Sequence, residues 1–406
     1  MDSRQRSGLR PVSLRSKKSP LLSIFLIVLV DILGFTIILP LLPFYAENLG
    51  ATPWVVGWLL SSYGLCQLVA GPILGQISDR VGRRPVLLVS QIGTFIGFLI
   101  LAFSKTLVPV FISRVIDGLT AGNISVAQAY ISDVTDPENR AKAFGLIGIA
   151  FGFGFLVGPA LAGFLAHFGH PYPIFLAAAL SLTSALATYL LLPASKVHEP
   201  DSPNQKWEWK IYLRFFKDAA LGPLLWQFFY FVFAFVLFFS GFALFAERRF
   251  TYHAIPFGTK EVGFIFAYVG LLGIIIQGAL IGRFVKKWGE ARLVKVGFLC
   301  MGIGFLYLGG SFTLPHLVAA VTIGFIGMSV LRPSLTSLIT QKIGRAQQGT
   351  VLGLTQSLMS ISQVAAPLVS GALIQHHFLA PWTWIGALSS GGGLLLLRFD
   401  SSKPKA

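Results

Sequence analysis

Gly71-Pro72-Ile73-Leu74-Gly75-Gln76-Ile77-Ser78-Asp79-Arg80-Val81-Gly82-Arg83-Arg84-Pro85 lies between two apolar stretches and decides how the rest of the chain is read. Small residues at 71 and 75 let one membrane helix approach another, and a dense cluster of charge follows at once. A loop this short holds no soluble domain, so its charges serve the membrane boundary or the neighbouring helices. Holding the loop on the cytoplasmic side accounts for Arg80, Arg83 and Arg84. It does not account for Gly71, Gly75, Asp79 and Gly82.

The composition around this loop is that of a membrane protein. The chain has 406 residues, 54% hydrophobic and 12% charged, with a mean hydropathy of +0.73. Too few charges are present to cover a soluble fold of this size. Runs of about 20 apolar residues, the length that crosses a bilayer, recur about twelve times. They fall at 21–46, 54–77, 85–103, 107–131, 141–168 and 173–192, then at 219–245, 262–284, 293–312, 315–340, 349–376 and 382–397. The last is the shortest. These spans divide the chain into a basic tail (1–20), a first six-helix bundle (21–192), a central loop (193–218), a second six-helix bundle (219–397) and a short tail (398–406).

A net charge of +16 raises the question of nucleic acid, and its distribution answers it. The charge sits in alternate loops: Arg4 to Lys18, Arg80 to Arg84, Arg140 and Lys142, Lys196 to Lys217, Arg283 to Lys295, Lys342 and Arg345, and Arg398 to Lys405. The intervening loops hold Lys105, Arg248, Arg249 and Lys260. This asymmetry places both termini in the cytoplasm and indicates no nucleic-acid partner. The basic tail before residue 21 resembles the start of a signal peptide, but the apolar run continues to Phe44 without a small-residue cleavage site, so it reads as a retained first helix. Cys66 and Cys300 both lie in spans, far apart in sequence, which argues against a disulfide framework.

Glycines and prolines repeat at a spacing of about 206 to 208 residues. Gly57 and Gly64 return as Gly263 and Gly270, and Gly71, Gly75 and Gly82 return as Gly278, Gly282 and Gly289. Gly145, Pro159 and Gly163 return as Gly353, Pro367 and Gly371. The stretch 193–218 divides the two copies, and Trp207–Tyr212 within it has the mixture of aromatic and basic residues suited to a membrane interface.

Charges inside the spans are few, so each carries information. Asp31 lies ten residues into the first span, about 15 Å along the helix. Arg114 and Asp117 lie three apart in the fourth span, on one helix face and at a similar depth. A continuous helix would add Ala121, Ser125 and Gln128 to that face. No basic residue in its own span pairs with Asp31, and Arg114 is the candidate across the helix interface. Arg332, beside Pro333, is expected to reach toward the inner surface, with a role toward a substrate anion as the alternative. Ten aromatic residues between Phe228 and Phe245 cover every face of the seventh span, so most are expected to meet lipid or packing neighbours, with a subset left for a planar substrate. Gln67, Gln128, Gln227, Gln277 and Gln356 are further candidates for a cavity.

The string 71–85 resembles the loop between the second and third helices of major facilitator superfamily transporters, at nearly every position of that motif. Arg114-Val115-Ile116-Asp117-Gly118, followed by Ala121-Gly122, is similar to the fourth-helix motif of proton-coupled members. Gly145, Gly154, Gly158, Pro159 and Gly163 resemble the fifth-helix motif of antiporters, with Ala162 replacing one of its paired glycines. With Asp31-Ile32-Leu33-Gly34-Phe35 and Pro40-Leu41-Leu42-Pro43, the first half is similar to the tetracycline/proton antiporters. The resemblance is specific over residues 31–163 and weak beyond.

It implies an all-α major facilitator fold and proton-coupled export of lipophilic small molecules by alternating access, from a bacterial inner membrane. The partners would be a small-molecule substrate, protons and lipid, with the protein acting as a monomer, without cofactor or metal and not as an enzyme. Asp31, Arg114 and Asp117 would handle protons. The resemblance also implies a cytoplasmic gate, in which Asp79 faces the start of the eleventh span near Gly349 and Arg83 bridges to Asp133. The family's antiporters carry an acid in the ninth span and this chain has none, which leaves tetracycline itself in question. A transporter of a polar metabolite or lipid is the alternative. His376-His377 lacks the glutamate of a metalloprotease helix, so an intramembrane enzyme is disfavoured.

Overall fold

The computed structural model describes residues 20–135, 140–193, 214–343 and 348–397. The basic tail, the Trp207–Tyr212 segment and the final residues lie outside them. The fold is all-α. The first half comprises α1 (Pro20–Asn48), α2 (Pro53–Val81), α3 (Arg83–Ala102), α4 (Leu107–Leu119), α5 (Asn123–Val134), α6 (Arg140–Ala166) and α7 (Pro171–Leu191). The second comprises α8 (Gly222–Arg249), α9 (Thr259–Ile274), α10 (Ile281–Trp288), α11 (Glu290–Gly309), α12 (Leu314–Gln341), α13 (Gln348–Gln375) and α14 (Leu379–Leu396). A two-stranded hairpin, β1 (Thr251–Tyr252) and β2 (Ile255–Pro256), links α8 to α9.

Eleven of these helical units are long and apolar enough to cross a membrane among the described residues. The twelfth, α14, spans 18 residues and is diluted by Ser389, Ser390 and three successive glycines. Two spans are not continuous helices. The fourth breaks after Leu119 and resumes at Asn123, with Thr120 Oγ1 accepted by the Ile116 carbonyl at 2.9 Å. The stripe expected from Arg114 through Gln128 is therefore corrected, because the break resets the helical phase between Asp117 and Ser125. The eighth span passes through a π-helical turn at Ile275–Leu280 between α9 and α10.

The reversal between α2 and α3 is made at a single residue. Gly82 has φ of 96°, and its repeat mate Gly289, between α10 and α11, has φ of 73°. A side chain at either position would meet the steric penalty of that conformation, which explains glycine at the turn in both copies.

The halves meet along two symmetry-related helix pairs, α2 with α13 and α6 with α9. A Cβ on Gly57 would lie 2.6 Å from the Pro367 carbonyl oxygen, and one on Gly263 would lie 2.5 Å from that of Pro159. Gly371 approaches Pro53 in the same way, and Gly270 approaches the backbone of Phe155 and Leu156. Glycine and proline thus form backbone-to-backbone seams, the membrane counterpart of close small-residue packing. Thr36 Oγ1 adds a hydrogen bond from α1 to the Gly154 carbonyl at 2.8 Å, where Gly154 and Gly158 let α6 lie against α1.

Aromatic residues of α8 fill the second half rather than facing lipid. Phe231, Phe238, Phe242 and Phe245 are buried, and Phe245 lies 4.9 Å from the Trp382 ring. Of the two settings expected, lipid or packing neighbours, these buried rings have packing neighbours, because α8 lies against α12, α13 and α14.

Candidate functional site

The acid in α1 points into the first half, not at the arginine of α4. Gln91 Nε2, from α3, donates to Asp31 Oδ2 at 3.4 Å and to Ser184 Oγ, from α7, at 2.8 Å. The Ser184 hydroxyl in turn donates to the Ile27 carbonyl at 3.2 Å. Asp31 Oδ1 is buried and has no hydrogen-bond partner among the described residues. Beside it lies a cavity of about 10 Å³, bounded by Asp31, Thr94, Asn123 and Ser181, close to the volume that admits one water.

Arg114 and Asp117 form a separate buried pair at 3.2 Å, with Arg114 also over the Phe98 ring at 5.7 Å. Arg114 Nη2 is buried without a hydrogen-bond partner among the described residues. It borders a second cavity of about 50 Å³, with Phe35, Tyr63, Leu60 and Phe98 among its walls. Phe98 lines both cavities, so the Asp31 and Arg114 chambers are neighbours. The suggested compensation of Asp31 by Arg114 is corrected: Arg114 is committed to the nearer carboxylate, three residues along its own helix.

At the arginine-rich end, Arg83 pairs with Asp79, one turn earlier, and reaches Asp133 at 2.9 Å. Arg83 also donates to Ser78 Oγ at 2.7 Å, and Arg84 donates to the Tyr189 carbonyl at 2.5 Å. Arg80 is exposed. All these described contacts lie within the first half. Around Gly71, Gly75, Gly278, Gly282 and Gly353 nothing stands within 4 Å of where a Cβ would be. Among the described residues the halves therefore make no close approach at these glycines, and an Asp79 contact near Gly349 is not among the described ones.

The opposite end is closed. Arg248 of α8 pairs with Glu47 of α1 at 2.5 Å, across the two halves, and with Glu247 at 2.7 Å. Ser61 Oγ donates to the Val364 carbonyl at 2.7 Å, and Gly64 packs on Gln363. Phe155 of α6 meets Phe239 of α8 at 4.8 Å and Phe235 at 6.4 Å, sealing the centre.

Residues 24–367 match the sequence profile of the Major Facilitator Superfamily. The chain belongs to the major facilitator superfamily. It is 32% identical to the class B tetracycline resistance protein of Escherichia coli over 377 residues, covering 88% of this chain and 89% of that one. It is 26% identical to multidrug resistance protein 2 of Bacillus subtilis (strain 168), covering 95% and 97%. The crystal structure of the human organic anion transporter MFSD10 (TETRAN) superposes with a TM-score of 0.72 at 26% identity, covering 93% and 98%. The protein is thus a multi-pass membrane transporter of this superfamily.

Within this major facilitator, the glutamines separate. Gln67 Nε2 donates to Tyr63 Oη at 3.4 Å, near the larger cavity. Gln227 is corrected to a structural role, since it is buried and donates to the Gly393 carbonyl of α14 at 3.3 Å. Gln277 is exposed on the π-helical turn, while Gln128 and Gln356 are half-buried. Gly145 falls in α6, outside the residues whose surroundings are described. The sequence reading did not single out Gln91, Ser184, Glu47 or Phe155. Each acquires its place only by meeting a helix distant in sequence.

Proposed function

We propose that this transporter is a proton-driven exporter of lipophilic small molecules, working by alternating access. One observation carries the proposal: Asp31 keeps one oxygen hydrogen-bonded and the other free beside a water-sized cavity. A carboxyl held in this way can gain or lose a proton without rebuilding its surroundings, which is the requirement for a coupling group. The resistance-protein relatives support drug-like substrates.

Arg114 and Asp117, at the neighbouring chamber, would set the field that Asp31 experiences. With no acid inside α11 beyond Glu290 at its start, coupling rests on the first half. The arginine-rich end would face the cytoplasm, with both termini there, in a bacterial inner membrane. The arrangement described would then be the state that receives substrate from inside. Asp79, Arg83 and Asp133 would form the first-half face of a gate that closes against α13 when the opposite end opens. The protein would work as a monomer.

The test is accumulation of a tetracycline and of a lipophilic cationic dye in efflux-deficient bacteria, with and without an uncoupler. Expression should lower accumulation of at least one of them, and both the uncoupler and Asp31→Asn should abolish that effect. Efflux by well-expressed Asp31→Asn that still collapses with the uncoupler would move proton coupling to another residue. Unchanged accumulation of both compounds with well-expressed wild-type protein would favour a polar-metabolite or lipid substrate.

A further inference from the structure

Arg332 has no counter-ion among the described residues. It lies on α12, nine residues before the helix ends at Gln341, or about 14 Å from the arginine-rich end. Its guanidinium does not extend outward to the surface, as the sequence led us to expect. It sits over the ring of Phe151, on α6 of the other half, at 5.2 Å. Among the described residues no carboxylate pairs with it. The acids at comparable depth are occupied elsewhere: Asp31 faces Gln91 and Ser184, and Asp117 is held by Arg114. The α12 helix itself contains no acid, and α11 has only Glu290, which accepts from Ser337 and Gln341.

Phe151 begins an aromatic column. Its ring stacks on Phe155 at 6.5 Å and 22°, and Phe155 touches Phe235 and Phe239 of the second half. Phe151, Phe155, Phe235 and Arg332 are all half-buried, so each keeps some accessible surface, and they meet where α6 of one half faces α8 and α12 of the other. The level matches that of Asp31, because α6 lies against α1 with Gly154 on Ile32.

A cation inside the membrane without a carboxylate partner is costly, and an aromatic face offsets only part of that cost. The residue types converge on one ligand chemistry. A guanidinium presents a planar fork matched to a carboxylate, and the adjoining rings present faces to a flat aromatic body. We propose that Arg332 anchors the acid group of an aromatic carboxylate substrate, whose ring system stacks on Phe151, Phe155 and Phe235 between the halves. This inference rests on the export reading above and narrows its substrate class to lipophilic organic anions. Binding of the anion would also bridge α12 to α6, tying the two halves through the substrate at the level where protonation of Asp31 takes place.

Two dyes of one xanthene frame provide the test: fluorescein, with a free carboxylate, and rhodamine 123, a cationic methyl ester. Each is titrated against purified wild-type protein by fluorescence anisotropy, and against Arg332→Gln and Arg332→Lys. Fluorescein should bind the wild type more tightly than rhodamine 123. Arg332→Gln should weaken fluorescein on the order of tenfold and Arg332→Lys only a few-fold, with rhodamine 123 unaffected. A wild type that prefers rhodamine 123, or a folded Arg332→Gln that binds fluorescein unchanged, would overturn the anion site. The wild-type preference is independent of whether a variant folds. Failure to bind fluorescein alongside uncoupler-sensitive tetracycline efflux would overturn the anion site and leave the export reading standing. Arg332-dependent fluorescein binding without uncoupler-sensitive export of either dye or tetracycline would do the reverse.

Discussion

Arg114 and Asp117 illustrate what a single pair contributes. Both are about 5% exposed, and they lie in the same turn, so each neutralises the other where neither can reach water. Removing one partner leaves an unpaired buried charge, at a cost of about 3–5 kcal/mol. Arg114→Met should therefore lower the midpoint of thermal unfolding of the purified protein in detergent by several degrees. The double variant Arg114→Met/Asp117→Asn should recover most of that loss; equal stability of wild type and Arg114→Met would show that the pair is not a structural one. The pair was legible in the sequence because its spacing of three is a local property of a helix. The setting of Asp31 was not, since Gln91 and Ser184 come from helices 60 and 153 residues further along the chain.

At the scale of elements, the glycine seams govern how closely the halves approach. Gly263 has the Pro159 carbonyl 2.5 Å from where its Cβ would be, whereas Gly278, about four turns further along the same span, has open space. Gly263→Leu should destabilise the arrangement described by about 1–3 kcal/mol through overpacking. Gly278→Leu should change it by no more than about 0.5 kcal/mol. Thermal unfolding of both variants in detergent checks the contrast, and equal effects would count against the seam. The repeat spacing revealed these glycines and prolines in the sequence; which glycine meets which proline emerged only from the packing of α2 on α13 and α6 on α9. The break in the fourth span was also hidden. Thr120-Ala121-Gly122 carries no proline or charge and reads as helix; in the structure the break lies where Gly118 packs on Tyr63 and Gly122 on Leu74 and Ser90.

For the whole molecule, the decisive asymmetry is between its two ends. The end bearing Glu47 and Arg248 is latched across the halves, and among the described residues the glycines of the arginine-rich end make no close approach. If transport requires the latch to open, a covalent bond in its place should stop it. Glu47→Cys/Arg248→Cys protein, oxidised to the disulfide, should lose transport activity and regain it on reduction, as measured by substrate flux in reconstituted vesicles. Activity that survives complete cross-linking would mean that this end need not separate.

The chain by itself determined a multi-pass helical protein of the major facilitator superfamily, with a repeated half and a small set of intramembrane charges. These are local properties: the bilayer selects each run of about 20 residues on its own hydropathy, and turn glycines act within their own loops. Only the tertiary structure decided which end is latched across the halves, where the fourth span breaks, and that Arg332 faces an aromatic column instead of an acid. Those outcomes depend on contacts between segments from about thirty to about three hundred residues apart. Two arrangements of the same helices differ by a small free energy spread over the whole interface, so no single stretch of sequence carries the signal.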